Sequence, residues 1–369
     1  MKIRRQYFFT ALVLFFMFAE QAPGCSVSFL EAGGQALAAR NMDWPEPDGR
    51  VIKNVRGIEK TAMMPPEGAI PYTWTSAYGS ITFDMLAQVP GIGIINAPGC
   101  GLNEKGFYAA ALFVDPPEYP GPGGKPAVRC GEVVRVLLDT CASVPEALEK
   151  FNDFGVTELS ISGVNFRLHW FLADRNGNCA IVEFPPENHG VISVHTPPQY
   201  GTMTNSYYDP SYAGLALYEG FGGSLPIPPE DAVRTSMVRF VRNTWFSLEA
   251  MAGETVEKDD GFFVMDKVKQ TEGTTGSQSR TDWTIVYDLK KPDLAWTAVK
   301  NNSRRTIDLR RLDFNFSPEV YSMDIQSPGA GDVTTAFGEK SGGGCRAGFT
   351  SSWGLFLVVP ATLAALRGK

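Results

Sequence analysis

Cys25-Ser26-Val27-Ser28-Phe29-Leu30-Glu31-Ala32-Gly33-Gly34-Gln35-Ala36-Leu37-Ala38-Ala39-Arg40-Asn41-Met42-Asp43-Trp44 is the stretch on which the fold turns. Ser26–Leu30 alternates as a strand does, and Gln35–Arg40 reads as its hairpin partner across Gly33-Gly34. Such a hairpin returns the polar run Arg40–Trp44 to the side of Cys25. A thiol, a guanidinium and a carboxylate then share one end of a sheet.

What precedes Cys25 reads as an export signal. Lys2, Arg4 and Arg5 form a basic start, Tyr7–Phe18 is a twelve-residue apolar run, and Ala22 and Gly24 place small side chains just ahead of Cys25. Twelve residues are too few to cross a hydrocarbon core of about 30 Å. Removal of residues 1–24 leaves Cys25 as the first residue, with a thiol and an α-amine on one residue. An amine of pKa about 8 has a neutral fraction able to take the thiol proton while the sulfur attacks a carbonyl. This arrangement needs no histidine, in a chain whose three are His169, His189 and His195. Ala22-Pro23-Gly24-Cys25 also half-resembles a lipoprotein cleavage box, in which Cys25 is lipidated and its amine blocked. The aliphatic residue usual three positions before the cysteine is Ala22 here.

The far end is an address as well. Residues 328–344 have the Gly, Ser and Thr content of a flexible linker. Residues 345–369 then hold Cys345, an apolar run Phe349–Leu366 and two final cations, which reads as a membrane anchor or sorting tail. The chain has 369 residues, is 44% hydrophobic and only 20% charged, a globular composition. Its net charge is −7; the two ends carry +2 and +3, which leaves −12 for the core between them. A core that acidic repels phosphate backbones and speaks against a nucleic-acid partner. No histidine lies at metal-ligand spacing from another histidine or from a cysteine pair, so no metal is expected. Cys100, Cys130, Cys141 and Cys179 read as isolated buried thiols.

Between the ends, Phe107–Val114 reads as a strand and Gly131–Cys141 as a helix. Ser143-Val144-Pro145-Glu146 opens a second helix expected to reach about Phe154. Leu168–Ala173 and Cys179–Phe184 flank the hairpin turn Asn176-Gly177. A long helical stretch is expected from Pro228 to about Ala250, with Val233, Met237, Phe240, Val241 and Trp245 on its apolar stripe. Trp283–Tyr287 and Ala295–Val299 form a late hairpin. Strands at both ends with helical blocks between them suggest helices packed on antiparallel sheets, with no domain boundary before about Pro328.

The run Arg40-Asn41-Met42-Asp43-Trp44, about fifteen residues after Cys25, resembles the choloylglycine hydrolase and penicillin V acylase family of N-terminal nucleophile hydrolases. Four further matches follow in that family's order: Gly101-Leu102-Asn103-Glu104-Lys105-Gly106, Met203-Thr204-Asn205-Ser206, Arg239-Phe240-Val241-Arg242, and the closing strands Asp282–Asp288 and Arg304–Leu309. Together they cover roughly Cys25 to Leu312, and residues 25–327 are taken as one domain. The resemblance implies an α+β fold, a four-layer αββα sandwich with two antiparallel sheets between helical layers. It also implies hydrolysis of a linear, non-peptide amide through a cysteine thioester, with no cofactor and no metal.

Carried over residue by residue, Cys25 is the nucleophile and its amine the base. Asp43 orients the amine, Arg40 stands near the sulfur, Asn205 donates to the oxyanion, and Arg239 completes the network. Arg234 and Arg242 read as helix-surface cations. Phe113 occupies a position where the family commonly has Asn or Tyr; its backbone N–H is the second oxyanion donor, and its side chain bears on specificity. Met63, Met64, Trp74, Tyr78 and Phe83 are further apolar pocket candidates that read more simply as core. The stretch from Asn205 to Arg239 is shorter than in relatives with a long oligomerisation loop, so a homo-oligomer is expected without a tetramer being assumed. The partner is a small acyl amide of the conjugated bile salt, penicillin V or N-acyl homoserine lactone type. Two alternatives accompany this reading: a silent surface lipoprotein lipidated at Cys25, and an N-terminal-Cys acyltransferase or ceramidase-like enzyme.

Overall fold

In the computed structural model, residues 24–44, 49–89, 93–161, 164–232, 235–271 and 280–340 are described. The hairpin that opens the domain is present: β1 (Ser26–Ala32) pairs antiparallel with β2 (Gln35–Trp44), Ser26 facing Asn41 and Ala32 facing Gln35. Thirteen further strands complete two large sheets. In chain order they are β3 (Gly49–Asn54), β4 (Ser80–Val89), β5 (Gly93–Asn103), β6 (Tyr108–Phe113), β7 (Leu168–Ala173), β8 (Cys179–Glu183), β9 (Ser193–His195), β10 (Thr202–Met203), β11 (Arg280–Asp288), β12 (Asp293–Ala298), β13 (Asn301–Asp308), β14 (Ser322–Asp324) and β15 (Gly331–Asp332). One sheet runs β10-β1-β2-β11-β12-β13-β15; the other runs β9-β8-β7-β6-β5-β4-β3-β14. All of these pairings are antiparallel except that of β15 with β13.

Among the described residues, five α-helices cover the sheets: α1 (Val133–Thr140), α2 (Val144–Lys150), α3 (Tyr208–Leu215), α4 (Ser236–Met251) and α5 (Lys258–Asp266). Three apolar clusters define the layers. Val27, Ala38, Phe83, Tyr108, Phe171, Ile285 and Trp296 fill the space between the sheets. Val133, Leu137 and Ala147 from α1 and α2 pack on Ala109, Trp170 and Val182 of the second sheet. Leu30, Leu37, Ala39 and Val286 meet Val264 and Met265 of α5 on the outer face of the first. A strand alternates its side chains between faces, so β2 sends Ala36 and Ala38 inward and Leu37 and Ala39 outward. The architecture is the four-layer α+β sandwich that the resemblance implies.

Several expectations are corrected. The α2 helix has its Ser143 cap, with Glu146 reaching back to the Ala142 N–H at 2.8 Å, but it ends at Lys150 rather than near Phe154. There Asn152 and Asp153 bond back three residues to Glu149 and Lys150, and Gly155–Thr157 departs as a short strand beside Ala127–Arg129. The stretch from Pro228 makes only a 3₁₀ turn at Glu230–Ala232, since two prolines lack donors; α4 starts after Thr235, whose hydroxyl accepts from the Val238 N–H. Residues 233–234, with the expected Val233 and Arg234, lie outside the described residues. The expected linker is instead packed as far as Lys340: Gly331–Asp332 pairs with β13, and Phe337 is fully buried between the sheets. The signal segment before Gly24 and the tail from residue 341 lie outside the described residues. Among the described residues, no helix is long and apolar enough to cross a membrane.

Candidate active site

Cys25 leads into β1, between β10 on one side and β2 on the other. The pairing of Ser26 with Asn41 sets Cys25 opposite Met42. Alternation then gives Cys25, Met42 and Arg40 the inner face of the sheet, and Asn41 and Asp43 the outer one. Cys25 is 2% exposed, with its Sγ 3.4 Å from Met42 Sδ. Arg40 Nη2 donates to Cys25 Sγ at 3.8 Å and to the Ala111 carbonyl at 2.8 Å, while Nη1 donates to the Gly99 carbonyl.

Burial opposes the charge of Arg40, yet the neighbouring Cys100, Cys25, Tyr108 and Tyr287 outweigh it and hold the guanidinium above its usual range. Burial pushes the Cys100 thiol up, and it shares a 3.2 Å hydrogen bond with Tyr287. Arg40 is therefore a permanent buried cation with carbonyls on one side and the Cys25 sulfur on the other. A charge so placed stabilises negative charge that develops beside it.

Arg239 enters from α4 and ties the remaining parts together. Its Nη1 donates to the Cys25 carbonyl and, at 3.1 Å, to Ser26 Oγ; its Nη2 donates to Asn205 Oδ1 at 2.9 Å. Asn205 follows β10, which pairs with β1, and its Nδ2 donates to the Phe113 carbonyl at 2.8 Å. The next residue, Val114, gives its N–H to Arg167 on the neighbouring chain segment. Strand alternation therefore turns both the N–H and the C=O of Phe113 the other way, into the gap where the β5–β6 pairing ends at Cys100 and Ala110. Two donors, the Asn205 amide and the Phe113 N–H, thus border the same gap as Cys25.

Asp43 is fully buried on the outer face, and Thr281 Oγ1 donates to its Oδ1 at 2.5 Å. Its Oδ2 has no partner among the described residues. Burial pushes the carboxyl up to about 7, against the opposing pull of Arg239 and Thr281. Among the described residues it hydrogen-bonds none of the other expected site residues; its link to them is the field of Arg239 and Arg40. Gly24, still bonded to Cys25, is buried beside Arg239 and Gln270, where an added Cβ would stand 2.1 Å from Gln270 Nε2 and 3.0 Å from Arg239 Nη2.

A cavity of about 20 Å³ is lined by Cys25, Arg40, Met42, Ala111, Phe113, Phe166 and Leu168. A second, of about 70 Å³, shares Ala97, Pro98 and Gly131 with it and continues to Met63 and Met64. Phe113 packs its ring 5.2 Å from Trp44 and 5.8 Å from Phe166. Of the other pocket candidates, Phe83 is in the core between the sheets and Trp74 stacks on Tyr72 against α1. Arg242 is not a surface cation: it is 4% exposed and donates to the carbonyls of Lys267 and Pro228 at 2.7 and 2.6 Å.

Sequence reasoning missed Met42, Thr281, Ser236 and Gln270. The first was legible from alternation, since it shares the face of Arg40; the others come from distant segments with no local signal. Cys100, Cys130, Cys141 and Cys179 are free, buried thiols, as read.

The family model of linear amide C–N hydrolases, choloylglycine hydrolase family, matches residues 25–322. The chain belongs to that family. The match begins at Cys25, the residue on which the site converges. Among solved structures, a penicillin V acylase from Agrobacterium tumefaciens superposes with a TM-score of 0.68 at 24% identity, covering 86% of this chain and 98% of its own. A mutant conjugated bile acid hydrolase from Clostridium perfringens gives 0.67 at 19%, covering 84% and 98%. At these identities the likeness is one of fold. No curated protein sequence matches the chain. The protein is accordingly a linear amide C–N hydrolase of the choloylglycine hydrolase family.

Proposed function

We propose that the enzyme is exported and cleaves an acyl amide by transferring the acyl group to Cys25. The observation that carries this reading is the meeting of Arg40, Arg239 and, through it, Asn205 at the first residue of the family match. Removal of residues 1–24 as a signal peptide frees the Cys25 amine. That amine takes the thiol proton as the sulfur attacks the amide carbonyl, and the oxyanion is received by the Asn205 amide and the Phe113 N–H. Removing one such donor typically costs about 3 kcal/mol of transition-state stabilisation. The proton passes to the leaving nitrogen, the C–N bond breaks, and a thioester and a free amine result. Water, its proton taken by the same amine, then releases the carboxylic acid. Asp43 is the group that orients the amine, and Arg40 steadies the sulfur. No cofactor enters any step.

The substrate is a small molecule with an apolar acyl group on a polar amine, of the conjugated bile salt, penicillin V or N-acyl homoserine lactone type. The lining of Met42, Phe113, Phe166 and Leu168 supports an apolar acyl group. Residues 345–369 serve as a C-terminal anchor with membrane contact, and the enzyme works as a homo-oligomer.

The test is product analysis on a panel of such amides with wild type and Cys25→Ser. Wild type should release free acid and amine in equal amounts, and the variant should fold and release neither. Acyl transfer to an added alcohol or amine in place of water would favour the acyltransferase alternative. Equal rates in the two proteins would remove Cys25 from the mechanism.

A further inference from the structure

Behind the turn that carries Asn205 lies a buried charged pair to which the chemistry above gives no task. Glu183, at the end of β8, is 2% exposed, and His169 on β7 is fully buried. Glu183 Oε1 stands 2.8 Å from His169 Nδ1 and accepts from the Tyr208 N–H at 3.2 Å. Oε2 accepts from the same N–H at 3.1 Å and lies 3.5 Å from His195 Nε2. The other ring nitrogen of His169, Nε2, is 2.8 Å from the carbonyl oxygen of Thr204. A carboxylate and a carbonyl only accept, so His169 satisfies both when it carries a proton on each nitrogen.

Thr204 C=O and Asn205 N–H are the two ends of one peptide unit. Ser236, the first residue of α4, holds the opposite end: its Oγ accepts from the Asn205 N–H at 2.9 Å and shares a 2.9 Å hydrogen bond with Thr204 Oγ1. The peptide plane ahead of Asn205 is therefore fixed from both sides, by an imidazole N–H and by a hydroxyl. Burying an ion pair is a weak source of stability, because desolvation offsets much of the attraction. What it supplies here is orientation.

We propose that the Glu183–His169 pair is a positioning device for Asn205: it fixes the Thr204–Asn205 peptide plane and so aims the Asn205 amide at the reaction centre. The proposal rests on the reading of Cys25 and Asn205 as the acyl-transfer machinery. His169 touches no reacting atom and acts through Asn205.

The test is a double-mutant cycle on an amide that wild type hydrolyses, with His169→Gln, Asn205→Ala and the two combined. Misplacing a catalytic group by about 1 Å costs up to about 100-fold, so His169→Gln should lower kcat by roughly 10- to 100-fold and leave KM within about threefold. In the Asn205→Ala background the same change should cost nothing further, because the group it positions is gone. An unchanged kcat, or losses that multiply in the double variant, would overturn the proposal. An Asn205→Ala enzyme at the wild-type rate would remove the underlying acyl-transfer reading, and the proposal with it. Wild-type protein gives a readout free of folding defects: in ¹⁵N-histidine spectra, His169 Nε2 should carry a proton hydrogen-bonded to the Thr204 carbonyl. An unprotonated Nε2 would contradict the clamp.

Discussion

Asp43 offers the sharpest physical test, because its chemistry shows in stability without any substrate. It is fully buried, one oxygen takes the Thr281 hydroxyl, and the other has no partner among the described residues. With Gly24 bonded to Cys25, burial raises its pKa from 3.8 to about 7. Between those values the folded chain holds a proton that the unfolded chain has lost, so this contribution is present below about pH 4 and lost by about pH 7. At about 1.4 kcal/mol per pKa unit, three units bound the effect near 4 kcal/mol, of which roughly 2–3 falls between pH 5 and pH 8. The assay is urea unfolding at those two pH values, on a Cys25→Ala chain that keeps its upstream residues and on the same chain with Asp43→Asn. The parent should lose about 2–3 kcal/mol more than the Asn variant over the interval. Glu132, also raised by burial to about 7, is present in both chains and cancels in the comparison; Asp282, raised to about 6, adds to the Asp43 shift and belongs to the difference. Parallel pH dependences would refute the argument. In a chain beginning at Cys25 the free amine supplies a counter-charge, and the difference should shrink.

Phe113→Ala keeps the backbone N–H and C=O while removing a ring that packs on Trp44 and Phe166. Steady-state kinetics should show kcat within about threefold and KM for aromatic or long acyl amides raised by roughly 2- to 10-fold, the equivalent of about 0.5–1.5 kcal/mol of ring contact. A collapse of kcat would mean that the ring itself belongs to the chemistry. Glu183 predicts the acid limb of stability. Burial alone would raise its pKa, but the hydrogen bonds from His169 and His195 outweigh burial and bring it down to about 2. Its stabilisation is therefore present above pH 4.5 and lost as pH falls through about 2, an effect on the order of 3 kcal/mol. Glu183→Gln should destabilise the protein strongly at pH 7 and progressively less toward pH 3 in urea titrations; an equal penalty at both values would contradict the pairing.

How much of this was legible in the sequence differs from part to part. The Cys25–Trp44 hairpin was readable because alternation and a two-glycine turn are local signals, and they already set Arg40 beside the thiol. Asn205 and Arg239 meet Cys25 only through tertiary packing, so spacing carried no trace of them and the family resemblance had to supply their roles. Gly101–Gly106 matched the family pattern without lining the site. Its Asn103 instead donates to the carbonyls of Leu138 and Cys141 and accepts from the N–H groups of Lys105 and Phe107, fastening a hairpin turn to the end of α1. The apolar stripe on α4 was right for Phe240 and Val241, but the helix also buries Arg239, Arg242, Asn243, Thr244 and Ser247. Apolar periodicity cannot reveal a buried face whose polar side chains are satisfied by backbone and side-chain partners on distant segments. The Gly-rich composition beyond Pro328 misled for a related reason. Phe337 anchors that stretch between the sheets with Val333 packed beside it, and two apolar residues do not register in a composition.

The central claim is a thioester on a free N-terminal cysteine. Protein expressed from the full-length sequence should be mixed with an amide substrate, quenched in acid within the turnover time, digested, and its N-terminal peptide weighed. The peptide should begin at Cys25 and carry, in a quenched fraction, the added mass of one acyl group on sulfur, removable by hydroxylamine. A peptide that begins upstream of Cys25, or one bearing a lipid in place of the substrate's acyl group, would contradict the account.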